Sequence, residues 1–178
     1  MTKSKIQAKA AVAIIRCEQP TTSYLLLRRA AHPRDPWSGH FSFPGGRKES
    51  YDNTIFDTCL RETQEETGIE LEATTLLQAL SPEPAGHNSQ HLIWVQPFLF
   101  SLKNRPKIIL DEEEIVNSSW ITAEQFVNPS YHSETEMLPG RFFPTFPLQD
   151  YYLWGFTYRL LDKIIQAYDV TNKTNSTG

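Results

Sequence analysis

The chain has 178 residues, long enough for one domain with a substantial core. Hydrophobic residues make up 39% and charged residues 21%, proportions ordinary for a globular protein. A formal charge of −4 offers no general electrostatic grip on DNA or RNA, so a polyphosphate ligand needs a local cation.

No run approaches the ~20 apolar residues of a membrane span. The basic then apolar start of the chain is faintly like a signal peptide. Its apolar run, Ala10–Ile15, is short and followed at once by Arg16, so it reads as a first strand. Cys17 and Cys59 lack metal-type spacing and are expected to be buried thiols. These features give a reduced, cytoplasmic protein as the expectation, with no nucleic-acid or membrane partner.

In chain order, Ala10–Arg16 and Tyr24–Arg29 are predicted strands in a hairpin-like pair. A loop dense in Pro and Gly follows, with Phe41–Phe43 as a short strand. Thr54–Thr67 is predicted helical. Thr54 and Asp57 resemble a capping box, and Gly68 suits the left-handed C-terminal cap. Thr75–Leu80 and Leu92–Leu102 read as strands, and Pro97 in the second suggests an edge or a bulge. Lys107–Leu110 is a further short strand, the acidic run 111–114 a turn, and Ile115–Ile121 a strand pairing back. A short helix, Thr122–Val127, follows. Asn128–Gln149 is expected to be irregular, and Leu153–Tyr168 shows helical apolar spacing. The expectation is a single mixed α/β (α+β) domain over residues 1–170, with a polar tail from 171 to 178.

The segment Phe43–Gly68 carries the chemistry. At 100° per residue, Ile55, Phe56, Cys59, Leu60 and Thr63 fall in one apolar arc of the helix. Glu62 and Glu66 lie about 40° apart at the border of that arc, and Glu65 lies one step further round. Two carboxylates therefore edge the core, where charge is costly to desolvate. They repel each other at i, i+4 and stand at the negative end of the helix dipole. A divalent cation relieves all three penalties; the plainer alternative is a solvated glutamate patch neutralised by Arg61 and nearby lysines.

Gly45-Gly46 followed by Arg61-Glu62-x-x-Glu65-Glu66-x-Gly68-Ile69 resembles the Nudix box of the Nudix hydrolase family. Thr63 stands where an aliphatic residue is usual, Gly46 to Arg61 is one residue longer than usual, and Asp52 replaces the first glutamate. The longer spacing, FPGG before it, and Leu25-Leu26-Leu27-Arg28-Arg29-Ala30 upstream look like the coenzyme A pyrophosphatase branch. LWGFTYRLL near the C-terminus is similar to that branch's closing helix. The likeness runs over roughly Ala10 to Ile165.

The resemblance implies an α/β/α sandwich with a mixed central sheet. It also implies an Mg²⁺- or Mn²⁺-dependent pyrophosphohydrolase acting on a nucleoside diphosphate linked to another moiety. CoA or a CoA-like adenine diphosphate is the expected substrate, with ADP-ribose, dinucleoside polyphosphates and (d)NTPs as alternatives. A non-catalytic nucleotide-binding domain is the alternative from another class, and a homodimer is plausible from the family. Carried over residue by residue, Glu62, Glu65 and Glu66 are the expected metal ligands, joined by the backbone carbonyl of Gly45 or Gly46. Arg61 is expected to tie down the acidic helix. Arg29, Arg28 and Arg34 are candidates for phosphate contacts, as guanidinium groups suit them. The general base stays open between a helix glutamate and the loop Asp111, Glu112, Glu113 and Glu114, within which Glu113 or Glu114 is preferred. Trp37, Phe41 and Phe43 are candidates for base stacking, core packing being the simpler role for both phenylalanines. His87 and His91 read as incidental.

Overall fold

A computed structural model describes residues 7–33, 37–86 and 92–170. Arg34, His87, His91 and the tail 171–178 lie outside the described residues.

The two opening runs form β1 (Ala10–Gln19) and β2 (Ser23–Arg29), antiparallel but paired only near their shared turn, Arg16 opposite Tyr24. Beyond that point the strands diverge. The wedge between them is filled by β3 (Phe41–Ser42) against β2 and β4 (Gly45–Arg47) against β1. The helix α1 (Ile55–Thr67) follows, then β5 (Leu76–Ala79), β6 (Glu83–Ala85) and β7 (Ile93–Asn104). Strand β7 runs parallel to β1 along almost its whole length. On its other side β6 pairs with Ile93–Val95 and β5 with Phe98–Phe100. Pro97 falls in the gap between those two ladders, where a missing N–H costs no strand bond, so the proline marks a junction and not a sheet edge.

Strand β8 (Ile115–Thr122) pairs with β2, completing an eight-stranded mixed sheet. The short helix α2 (Ala123–Val127) is capped by Thr122. Three expectations are corrected downstream. Residues 107–110 form no strand: the Ile109 and Asp111 N–H groups donate to the Thr67 and Glu66 carbonyls, so this segment caps the end of α1. Asn128–Gln149 is not irregular. It contains the hairpin β9 (Ser133–Leu138) and β10 (Arg141–Leu148), joined at Pro139-Gly140, and β11 (Tyr151–Trp154) adds a third strand. Thr145 accepts and donates hydroxyl bonds across this small sheet, which holds together despite Pro144 and Pro147. Leu153 and Trp154 belong to β11, so the last helix, α3 (Gly155–Ile165), begins at Gly155 and widens into a π-turn over Gln166–Val170.

The unbroken apolar runs of β1 and β2 are buried on both faces, as a covered sheet demands. Ala11, Ala13, Ile15 and Cys17 pack with Leu25, Leu27, Phe98 and Phe100 beneath α1. Ile14, Tyr24, Leu26 and Leu99 face Phe126 of α2 and Leu160, Leu161 and Ile164 of α3. Each fully buried Leu or Ile contributes roughly 1.5–3 kcal/mol. The architecture is therefore the expected α/β/α sandwich, with the small sheet placed beside α3. Cys17 and Cys59 are free and buried. Among the described residues no helix is long and apolar enough to cross a membrane.

Candidate functional site

The acidic helix is fixed at both ends by its own sequence. Thr54 and Asp57 form the capping box, and Gly68 takes the left-handed conformation with its N–H on the Gln64 carbonyl. Thr63 and Thr67 are fully buried, yet each hydroxyl donates to the carbonyl four residues back, which removes the cost of a polar group there. That bond is how Thr63 fits a position otherwise suited to an aliphatic side chain.

Arg61 organises the polar border of the helix. Its Nε and Nη2 donate to the two Asp52 oxygens at 2.9 Å each, and Nη1 reaches Glu62 at 2.9 Å and Glu65 at 2.7 Å. Asp52 also accepts from the Glu49 N–H and the Thr58 hydroxyl. Arg61, together with these bonds, holds the Asp52 carboxyl well below the usual carboxylate range. So the shorter Asp52 still anchors Arg61, whose bonds join the loop to the helix.

Glu66 is 2% exposed and accepts a 2.8 Å hydrogen bond from the Gly45 N–H, with Arg29 Nη1 3.9 Å away. Burial pushes its carboxyl up to about 8, partly offset by Gly45 and Arg29 and reinforced by Glu62 and Glu114. Burial also raises Glu62, against the pull of Arg61. The paired glycines serve different ends. Gly45 has φ +150°, and a Cβ there would lie 2.1 Å from the Ala11 carbonyl oxygen. A Cβ on Gly46 would lie 2.4 Å from the Glu62 carboxylate, so Gly46 lets that carboxylate rest against the backbone.

These groups open onto a cavity of about 700 Å³ at the divergence of β1 and β2, within the usual range for small-molecule sites. Glu62, Glu66, Gly45, Gly46 and Arg29 line it, and so does Glu114, carried there because its segment is bonded to the end of α1. Trp37, Phe41 and Phe43 also line it; both phenylalanines are core-buried. Glu65 does not line the cavity: its side chain is 55% exposed and drawn to Arg61 one turn back. Arg28 also lies outside it. Its guanidinium is stacked between the Phe41 and Tyr151 rings, 4.9 and 4.4 Å from their centroids, since alternation along β2 turns it away from Arg29. The far wall carries residues that the sequence did not assign to the site, namely Arg141, Phe143, Trp154, Phe156 and Arg159. The visible signal for Arg141 and Phe143 was the Pro139-Gly140 turn between two strand-like runs, whereas Trp154, Phe156 and Arg159 lie in the LWGFTYRLL stretch noted above.

Among the described residues no three acidic, His or Cys side chains converge into a ready-made cation cage. The donor set nonetheless suits a hard divalent ion. Two desolvated carboxylates share a wall with the Gly46 backbone, and Mg²⁺ commonly takes few protein oxygens, keeping waters and substrate oxygens for the rest.

Comparison with known proteins agrees with this arrangement. An "Uncharacterized Nudix hydrolase NudL" of Yersinia pestis (strain Pestoides F) is 27% identical over 171 residues, covering 94% of this chain and 83% of the relative. An uncharacterized protein of Schizosaccharomyces pombe (strain 972 / ATCC 24843) is 30% identical over 121 residues, or 66% of this chain. The match spans only 37% of that longer protein. A MutT/nudix family protein from Enterococcus faecalis superposes with a TM-score of 0.62 at 15% identity, over 97% of this chain and 65% of that one; this likeness concerns the fold. The family model described as the NUDIX domain matches residues 7–140, a span that includes the glycine turn, α1 and Glu114. With the glycine–helix geometry, it establishes that the chain belongs to the NUDIX domain family.

Proposed function

We propose that the chain is a divalent-cation-dependent pyrophosphohydrolase. In this reading it cleaves coenzyme A or a CoA-like adenine diphosphate at the phosphoanhydride bond, releasing two monophosphate products. The observation that carries it is Glu66: a buried carboxylate, fixed by the Gly45 N–H and crowded by Glu62 and Glu114, on the wall of a large cavity. Charge held in such surroundings needs a counter-charge, and perturbed carboxylates in a cleft are typical of reactive sites. Glu62, Glu66 and the Gly46 carbonyl, with Glu65 from the motif, would hold Mg²⁺ or Mn²⁺, which would supply charge neutralisation for the diphosphate and a more acidic bound water.

The chain's own residues supply the positioning. Arg61 holds Glu62 and Glu65 and so fixes the edge of the site. Arg29, beside Glu66 on the cavity wall, is the phosphate-binding arginine, with Arg34 a second by motif. Glu114 is the general base in this reading, because it lines the cavity whereas Asp111, Glu112 and Glu113 do not. The FPGG turn and the longer spacing to Arg61 support the CoA assignment. ADP-ribose, dinucleoside polyphosphates and (d)NTPs are the competing substrates, and a nucleotide-binding domain without turnover is the competing class. The presence of Glu62, Glu65 and Glu66 together favours turnover.

The test is kcat/KM for CoA, ADP-ribose, NADH, diadenosine polyphosphates and dNTPs, with Mg²⁺ and with Mn²⁺. The expected result is ion-dependent hydrolysis with CoA highest. A different leader reassigns the substrate, and binding without turnover on any of them overturns the enzyme reading.

A further inference from the structure

The cavity joins two layers of the molecule, and its acids all lie on one of them, with Arg29 and Arg47 of the main sheet beside it. Glu62 and Glu66 come from α1 on one face of the main sheet, and Glu114 from the segment bonded to the end of that helix. Arg141 and Arg159 come from β10 and α3 on the other side. No acidic residue of β9, β10, β11 or α3 lines the cavity. The arginine side is built on an aromatic support. Arg141 lies over the Phe143 ring at 5.3 Å, and Phe143 meets the Trp154 ring edge-on at 5.1 Å. Trp154 leads into Gly155, and Arg159, three residues after Phe156 and four after Gly155, lines the same cavity one helical turn on. Arg159 makes no ion pair with any described residue. Two exposed guanidinium groups line the cavity from elements that carry none of its acids, and so form a cationic patch apart from the glutamates. Between them Trp37, Trp154 and Phe156 provide a largely apolar stretch.

We infer that Arg141 and Arg159 form a second anion subsite, which selects substrates carrying a phosphate monoester remote from the diphosphate that is cleaved. This rests on the reading above, in which the Glu62–Glu66 end is the reaction end. A nucleotide placed with its diphosphate there extends along the aromatic wall and presents its far phosphate to the two arginines. Guanidinium groups match phosphate oxygens in charge and in fork geometry, so they discriminate strongly against a hydroxyl in the same place.

Binding tests the subsite independently of turnover. Calorimetry compares adenosine 3′,5′-bisphosphate with adenosine 5′-monophosphate in the presence of Mg²⁺. The wild type is expected to prefer the bisphosphate about tenfold or more, as charge-assisted contacts allow. In Arg141→Gln/Arg159→Gln the ratio is expected to fall toward one, while Arg141→Lys and Arg159→Lys retain part of it. Both side chains are exposed, so the variants should fold, and an unchanged Tm checks this. Equal affinities in the wild type, no binding of either ligand, or an undiminished ratio in the double Gln variant overturns the inference. The kinetic arm compares kcat/KM for CoA and 3′-dephospho-CoA, with the same collapse of the ratio expected. If neither is hydrolysed, the proposed substrate fails, while the binding ratio still decides the subsite.

Discussion

Glu66 lies 2% exposed in the last turn of α1, where the helix dipole and its acidic neighbours all disfavour a negative charge. Its carboxyl, pushed up from 4.5 to about 8 chiefly by burial, keeps its proton in the folded chain over a range where the unfolded chain has released it. The folded state therefore binds more protons between those two values, and stability falls as pH rises from about 4.5 to 8. Urea midpoints measured with EDTA at pH 5, 6, 7 and 8 should decline accordingly, by an amount on the order of 1–3 kcal/mol. Glu66→Gln should flatten that decline, because the amide carries no charge to desolvate, and should leave the fold intact. The same variant should reduce turnover by orders of magnitude, about 10²–10⁴-fold, if Glu66 acts with the cation. Near-normal kcat would refute that role.

The glycine turn separates fold from function at the scale of one element. Gly45→Ala meets the backbone of β1 and forces an alanine to φ +150°, so it should cost more than about 2 kcal/mol and register as a clear loss of Tm. Gly46→Ala meets only the end of the Glu62 side chain, which can swing away. It should leave Tm within a few degrees while kcat falls at least about tenfold, because the carboxylate is displaced from its place against the turn. Equal effects of the two substitutions on stability and activity would contradict this division. Helix α1 itself depends less on tertiary help, since its capping box and left-handed glycine cap are local devices.

For the molecule as a whole, a cation bound by the acidic site in the folded form would offset the cost of charging it. Saturating Mg²⁺ or Mn²⁺ should raise Tm by about 3–8 °C at pH 8, and by much less in Glu66→Gln. No shift in the wild type would remove the cation from the scheme. The elements that position the acids were legible in the sequence because their signals are local: the runs of β1 and β2, the capped helix, and the placing of Glu62 and Glu66 at the core border. Arg61 as the tie of the acidic helix was legible for the same reason, its partners lying within nine residues. The small sheet was not, because Pro144 and Pro147 weaken the strand pattern that pairing with β9 and β11 sustains. Nor was the 107–110 segment, where the Ile109 N–H is taken by the end of α1 rather than by a strand. Residue type and spacing by themselves determined the acidic helix, its caps and the family resemblance, since helical periodicity and capping act over a few residues. Only the tertiary structure decided that Arg28 stacks away from the cavity and that Arg141 and Arg159 face it. Those outcomes depend on which distant elements meet, and contacts between residues far apart in the chain leave no periodic trace in it.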